Sequence, residues 1–341
     1  MRRFRMLLMI VGLAGLVVAG CGGDDDAVVG RDGSDGGDRP TVVVTTSILG
    51  DVVERVVGDQ AEVLTIMPVG ADPHSFQASA QQAAEMRDAD LLVVNGGGFE
   101  EGLLDVIDAA IADGALAFEA LSAVETLEYG EAAHDHEDHA DDDHADEDHG
   151  DDHAEEDEGH DHEGDDPHFF TDPVRMAEVV EALTGFLTEN VDGVDAGALQ
   201  SSADAYVAEL EALDAEVSEL VGEIPEDDRI LVTNHEVFGY FADRYGFEIV
   251  GTVIPSGSTA DGASAGALAE LAEIVEQEGV AAIFADATTS NDLADTLAGE
   301  AGGVRVIELF TESLGEPDSG GATYLEMVRA NAQRIVDGLT G

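Results

Sequence analysis

The eleven histidines of this 341-residue chain divide into two kinds by their spacing. Eight of them, His134, His136, His139, His144, His149, His153, His160 and His162, lie with one to six residues between neighbours. The stretch that holds them, Glu131–Asp166, is written only in Glu, Ala, His, Asp and Gly. Without aromatic or branched aliphatic residues it cannot bury enough apolar surface to offset the entropy of ordering. It is expected to be a mobile loop whose imidazoles and carboxylates collect divalent cations weakly.

The other three histidines are isolated, and their settings differ. His74 lies in Gly70-Ala71-Asp72-Pro73-His74-Ser75-Phe76, and His168 in Asp166-Pro167-His168-Phe169-Phe170-Thr171-Asp172-Pro173. His235 lies in Thr233-Asn234-His235-Glu236. Each falls where a strand or loop gives way to a helix. Ligands of open α/β sheets bind beyond the carboxyl ends of the strands, so three such residues can converge on one point. Taken singly, each is an ordinary surface or core histidine. Taken together, beside a His-rich loop that runs into one of them, they read as one metal site.

The elements that must position them follow from hydrophobic pattern. Thr41–Thr46, Glu62–Met67, Asp90–Asn95 and Leu116–Ala120 read as strands, with helical patterns from Ser47 (read as a helix cap) and over Gln77–Arg87 and Gly102–Asp113. Beyond the loop, Val174–Asn190 reads as helix. From Ala196 to Ile224, positions 199, 203, 206, 210, 213, 217, 220 and 224 form a narrow apolar stripe with steps of four and three. This predicts one long helix across two lobes and hence limited lobe closure; the competing reading is a coiled-coil dimer seam. Strands then return at Arg229–Thr233, Glu248–Ile254, Val280–Phe284 and Val304–Phe310, with helices at Glu236–Tyr245, Gly266–Glu278, Leu293–Glu300 and Tyr324–Leu339. The fold class is α/β: two lobes, each a mostly parallel sheet flanked by helices, joined by one long backbone helix. The lobes are expected at 41–195 and 225–341, with the helix at 196–224.

At the amino end, Arg2, Arg3 and Arg5 precede the apolar run Met6–Ala19, which is too short for a permanent span. The run ends in Val18-Ala19-Gly20-Cys21, which resembles a bacterial lipobox. Residues 1–21 are therefore expected to be a signal peptide with Cys21 as the lipidated residue, and 22–40 a Gly/Asp-rich tether reaching on the order of 25 Å. Cys21 is the sole cysteine, so no intrachain disulfide can form. All 13 basic residues are arginine; the absence of lysine excludes a Walker A loop and Schiff-base chemistry. The His-rich stretch holds 20 of the 76 acidic residues, and the remaining 56 still face only 13 arginines. Such a charge repels nucleic acid and anionic lipid head groups.

The motifs around the three histidines, with Phe238-Gly239-Tyr240-Phe241, Tyr245-Gly246 and Phe310-Thr311-Glu312-Ser313, resemble the metal-binding receptors of zinc and manganese ABC importers over about 40–339. That resemblance implies a metal site of His74, His168, His235 and Glu312. It also implies an extracytoplasmic, membrane-anchored monomer that hands its metal to an ABC permease and its ATPase, and no enzyme activity. The chain departs from the pattern at Gln77, at Phe170, at Asp261-Gly262-Ala263-Ser264 and at Glu312, where the family often has aspartate. Three neutral imidazoles and a carboxylate suit Zn2+, whereas Mn2+ prefers more oxygen; the resemblance adds that manganese members tend to carry glutamate at the position of His235, so histidine there favours zinc. Asp286, at a strand's carboxyl end, is the rival fourth ligand. Asp72 and Asp166 are candidates to orient the imidazoles. Since ligating imidazoles must be neutral, affinity is expected to fall below about pH 6.5. An extracytoplasmic zinc buffer or chaperone is the alternative, in which the loop does the binding. A zinc hydrolase is less favoured, because Asn234-His235-Glu236-Val237-Phe238 does not complete an HExxH motif.

Overall fold

The computed structural model describes residues 39–130 and 164–341. The segment expected to be a signal peptide, Cys21, nearly all of the expected tether and the eight clustered histidines lie outside the described residues.

The chain builds two four-stranded parallel sheets with the same topology. The first contains β1 (Thr41–Val44), β2 (Glu62–Thr65), β3 (Leu91–Val94) and β4 (Ala117–Glu119) in the order β2-β1-β3-β4. The second contains β5 (Ile230–Thr233), β6 (Glu248–Thr252), β7 (Ala282–Asp286) and β8 (Arg305–Leu309) in the order β6-β5-β7-β8. Parallel sheets covered by helices on both faces are written in continuous apolar runs, as in the fully buried Leu91–Val94. Register pairs Val43 with Leu64 and Leu92, and Phe284 with Ile307.

The two faces of each sheet feed different cores. Val42, Val44, Leu91 and Val93 of the first sheet share one apolar cluster with Leu231, Ala282 and Phe284 of the second. The opposite faces pack separately: Val43, Leu92 and Val94 against Met86, Leu103 and Ile107, and Val232, Ile283 and Ala285 against Leu271, Val275 and Leu297. One core therefore runs through the inward faces of both sheets.

Helices fill that shared core. They are α1 (Ser47–Val57), α4 (Pro173–Asn190), α5 (Ala196–Val221) and α9 (Tyr324–Thr340); the other α-helices among the described residues are α2 (Ala80–Asp88), α3 (Leu104–Ala112), α6 (Gly239–Tyr245), α7 (Ala265–Glu278) and α8 (Asp292–Glu300). Asp195 caps α5 by accepting from Ala198 N at 2.8 Å. The 26 residues of α5 give it a length of about 39 Å at 1.5 Å per residue. Its seam Leu199, Ala203, Tyr206, Leu210, Leu213, Val217 and Val221 is buried against α1, α4 and α9 of the same chain. The coiled-coil reading is thus answered within one chain. The helix ends at Val221, which takes the inward place expected of the half-buried Leu220.

Most expected elements appear within a few residues of their bounds, and the departures have local causes. Thr46, not Ser47, caps α1, accepting from Leu49 N at 3.2 Å. This leaves the Ser47 hydroxyl for another contact. Helix α2 begins only at Ala80, behind the capping box of Ser79 and Gln82. Helix α6 begins at Gly239 rather than Glu236, because Thr233 Oγ1 donates to His235 O at 2.8 Å and holds 234–238 as a loop. Strand β7 starts at Ala282: Gly279 ends α7 in the left-handed region, and Val280 N is spent on Val275 O.

Candidate metal centre

Two Asp-Pro-His segments use the same local device. Asp72 Oδ1 accepts from His74 N, and Asp166 Oδ1 from His168 N, both at 2.9 Å. A short acid that caps the amide two residues on is an Asx turn. It fixes where each histidine leaves the backbone.

The imidazoles are then oriented by different acids. His168 Nδ1 faces Asp166 Oδ1 at 2.7 Å, as expected. His74 Nδ1 instead faces Glu101 Oε1 at 2.9 Å. Asp72, expected to orient His74, accepts from Ser75 Oγ and from Thr259 Oγ1 of the second half of the chain. Glu101 was not foreseen, although it follows Gly96-Gly97-Gly98 at the carboxyl edge of the first sheet, where ligand groups gather. Its neighbour Glu100 is buried and accepts from Thr45 Oγ1 and Asn95 N, both at 2.6 Å. Burial, against those hydrogen bonds, raises the Glu100 carboxyl above its ordinary value. These bonds pin the glycine loop.

Glu312 arrives from the second sheet, three residues beyond β8. Asn331 of α9 accepts from Phe310 N at 2.9 Å and donates to Phe310 O at 2.7 Å, which fixes the strand's exit. One residue beyond Glu312, Ser313 Oγ accepts from Gly70 N at 2.7 Å and meets Ser47 Oγ at 3.1 Å. This is the contact freed by the Thr46 cap, and it ties the Glu312 loop to the first half of the chain.

The structure brings His74, His168, His235 and Glu312 together, with one potential ligand atom from each lying within 4.8 Å of all the others. Glu312 Oε1 stands 2.6 Å from His74 Nε2, 3.1 Å from His235 Nε2 and 3.4 Å from His168 Nε2. None of the four is more than 5% exposed. Asp286, also buried, is outside this group. Phe99 stands edge-on to His74 and His168 with centroids at 5.6 and 5.5 Å, and Tyr129 is 6.3 Å from His168. A cavity of about 210 Å³, lined in part by His74, Glu101, Tyr129, Ser256 and Asp261, reaches this point.

The charges of the cluster lean on one another. Burial alone would lower His168, but the Asp166 carboxylate and then Glu312 raise it to about 9. Burial likewise opposes protonation of His74, and Glu312 overcomes it to raise that imidazole. Burial would raise Glu312, yet His235, His74 and the hydrogen bonds around it hold it well below the usual carboxylate range. A cation among these groups would replace protons as the positive partner. The donor set is chemically fit for one: two Nδ1 atoms are occupied by acids, which turns Nε2 inward. Glu312 Oε2 is buried with no hydrogen-bond partner among the described residues.

Residues 42–338 match the family of the periplasmic zinc-uptake complex component A, ZnuA. The chain belongs to this family. It is similar to the manganese-binding lipoprotein MntA of Halalkalibacterium halodurans, 27% identical over 337 residues that cover 99% of this chain and 98% of MntA. It is also similar to the zinc-binding protein TroA of Treponema pallidum, 29% identical over 306 residues, covering 88% of this chain and 89% of TroA. A solved structure of periplasmic TroA superposes with a TM-score of 0.73 at 26% identity, covering 89% of this chain and all of that one. Among the described residues no helix is long and apolar enough to cross a membrane.

Proposed function

We propose that this ZnuA-family chain is an extracytoplasmic receptor that binds Zn2+ at His74, His168, His235 and Glu312 and passes it to a membrane ABC importer. The observation that carries this reading is the meeting of three Nε2 atoms and one carboxylate oxygen in a buried cluster. Three nitrogens and one oxygen make a closed tetrahedral set for zinc. Asp166 and Glu101 would hold the imidazoles to their inward tautomer. In this reading Cys21 carries the lipid anchor, residues 22–40 are the tether, and the histidines between 134 and 162 collect zinc for the buried centre. The lobes at 41–195 and 225–341, bridged by the helix at 196–224, close little on loading, since their inward faces share one core. A permease and its ATPase complete the system, and the receptor works as a monomer without catalysing a reaction.

A second reading, a manganese receptor of the same family, draws on the likeness to MntA. The donor set favours zinc over it, because manganese prefers oxygen-rich sites. Titrating the chain with Zn2+ and with Mn2+, unaltered and with each of the four residues changed to Ala, tests both. A zinc receptor loses its one tight zinc site in every variant. Retention of that site after Glu312→Ala would remove the fourth ligand. A metal buffer would lose nearly all binding when 131–164 is deleted, whereas a receptor keeps the tight site.

A further inference from the structure

Asp286 is the last residue of β7, the strand that lies between β5 and β8. It therefore stands between the loop that carries His235 and the loop that carries Glu312, and its backbone pairs with Leu309. The side chain is 0% exposed. Oδ1 accepts from Thr288 N at 2.6 Å and from Thr288 Oγ1 at 2.8 Å, closing the turn after the strand. Oδ2 has no hydrogen-bond partner among the described residues. Three atoms of the neighbouring cluster share that condition, Glu312 Oε2, His235 Nδ1 and His168 Nε2.

Closing a turn needs one oxygen and explains one. A buried carboxylate oxygen without a partner is costly and calls for a reason. Asp286 ends β7 and Glu312 follows the paired strand β8, so two buried acids lie at one edge of the second sheet. A cation near Glu312 would turn the repulsion between two acids into a shared attraction.

We infer that Asp286 is a conditional fifth ligand, remaining outside a four-coordinate ion and supplying Oδ2 to a divalent ion that takes five or more ligands. This rests on the reading that the three histidines and Glu312 hold the metal, and it names what that site would accept beyond zinc. Zinc is satisfied by the tetrahedral set. Manganese seeks carboxylate oxygen, and a second acid would provide both the oxygen and the charge. Asp286 thus sets whether the site also takes an oxygen-preferring cation such as Mn2+.

The test uses the full chain with Asp286→Asn, which can keep an acceptor for Thr288 while removing the charge. Zn2+ and Mn2+ are titrated separately, Co2+ absorption reports coordination number, and melting of the metal-free variant reports the turn. The inference expects Mn2+ affinity to fall by about 10–100-fold with Zn2+ affinity unchanged. It also expects Co2+ to change from the weak bands of five or more ligands to the intense bands of a tetrahedral ion. Equal losses for both metals with a lower melting temperature would make Asp286 a turn residue and overturn it. So would no change for either metal, or an unaltered chain that does not bind Mn2+. Glu312→Gln is titrated beside it. Zinc retained there defeats the four-ligand reading, whereas zinc lost there with Mn2+ binding intact in Asp286→Asn defeats this inference alone.

Discussion

Asp166 Oδ1 accepts from both the backbone N and the ring Nδ1 of His168, at 2.9 and 2.7 Å. One atom thereby sets both the position and the tautomer of a fully buried imidazole. Asp166→Ala should weaken zinc binding by about 10–100-fold, the usual effect of removing a group that orients a ligand. Gly239 makes room for this carboxylate, since a Cβ there would come within 2.6 Å of Asp166 Oδ2. Gly239→Ala is expected to produce a smaller loss of the same kind. Calorimetric titration checks both; full affinity in Asp166→Ala would mean that His168 needs no such partner.

The pH dependence follows from His168, raised to about 9 from its ordinary 6.5. Below about 9 the imidazole carries a proton that the metal must displace. Zinc affinity should therefore keep rising with pH between 7 and 9, not level off above about 6.5 as an unperturbed imidazole would have it. Binding at pH 7.5 should release protons, measured from the heat in buffers of different ionisation enthalpy. For the metal-free chain the sign is opposite. A raised imidazole contributes stability that is fully present below 6.5 and is lost as pH climbs through about 9. Melting of the metal-free chain should fall over that window, and an affinity flat from pH 7 to 9 would contradict the account.

Glu101 reaches His74 from a side chain that is 40% exposed. Water screens such a pair more than the buried Asp166–His168 pair. Glu101→Gln should cost zinc affinity about tenfold, toward the lower end of the usual range for such partners. A loss in Glu101→Gln larger than in Asp166→Ala would reverse the assigned ranking.

Asn331 holds Phe310 through both its amide groups. Asn331→Ala strands the N–H and C=O of Phe310 near the core, each at roughly 1–3 kcal/mol. The variant should unfold at clearly lower urea concentration. It should also bind zinc less tightly, because Glu312 is two residues farther along. Weaker zinc binding without loss of stability would place Asn331 in another role.

The framework was legible because its signals are local. Runs such as Leu91–Val94, short and flanked by polar residues, read as buried strands, and the stripe from Leu199 to Val217 marks the inward side of α5. The three isolated histidines were legible by subtraction from the clustered eight. What escaped depends on contacts between distant segments. Glu101 meets His74 across 27 positions, Asn331 meets Phe310 across 21, and Ser47 meets Ser313 across 266. Asn331 and Ser47 are common polar residues with nothing unusual in their immediate neighbours, and the one local mark of Glu101 is the glycine run just before it. Glu312 and Asp286 both belong to strand ends, so pattern alone could not choose between them. The fold places Glu312 among the imidazoles and Asp286 outside the group.

X-ray absorption at the zinc edge, recorded on the full chain with one equivalent of Zn2+, tests the central claim most directly. The account predicts four nitrogen or oxygen neighbours at about 2.0–2.1 Å, with the outer-shell signature of three imidazoles. That signature should weaken when His235 is replaced by Ala. A shell dominated by oxygen with at most one imidazole, or a spectrum indifferent to His235→Ala, would contradict it.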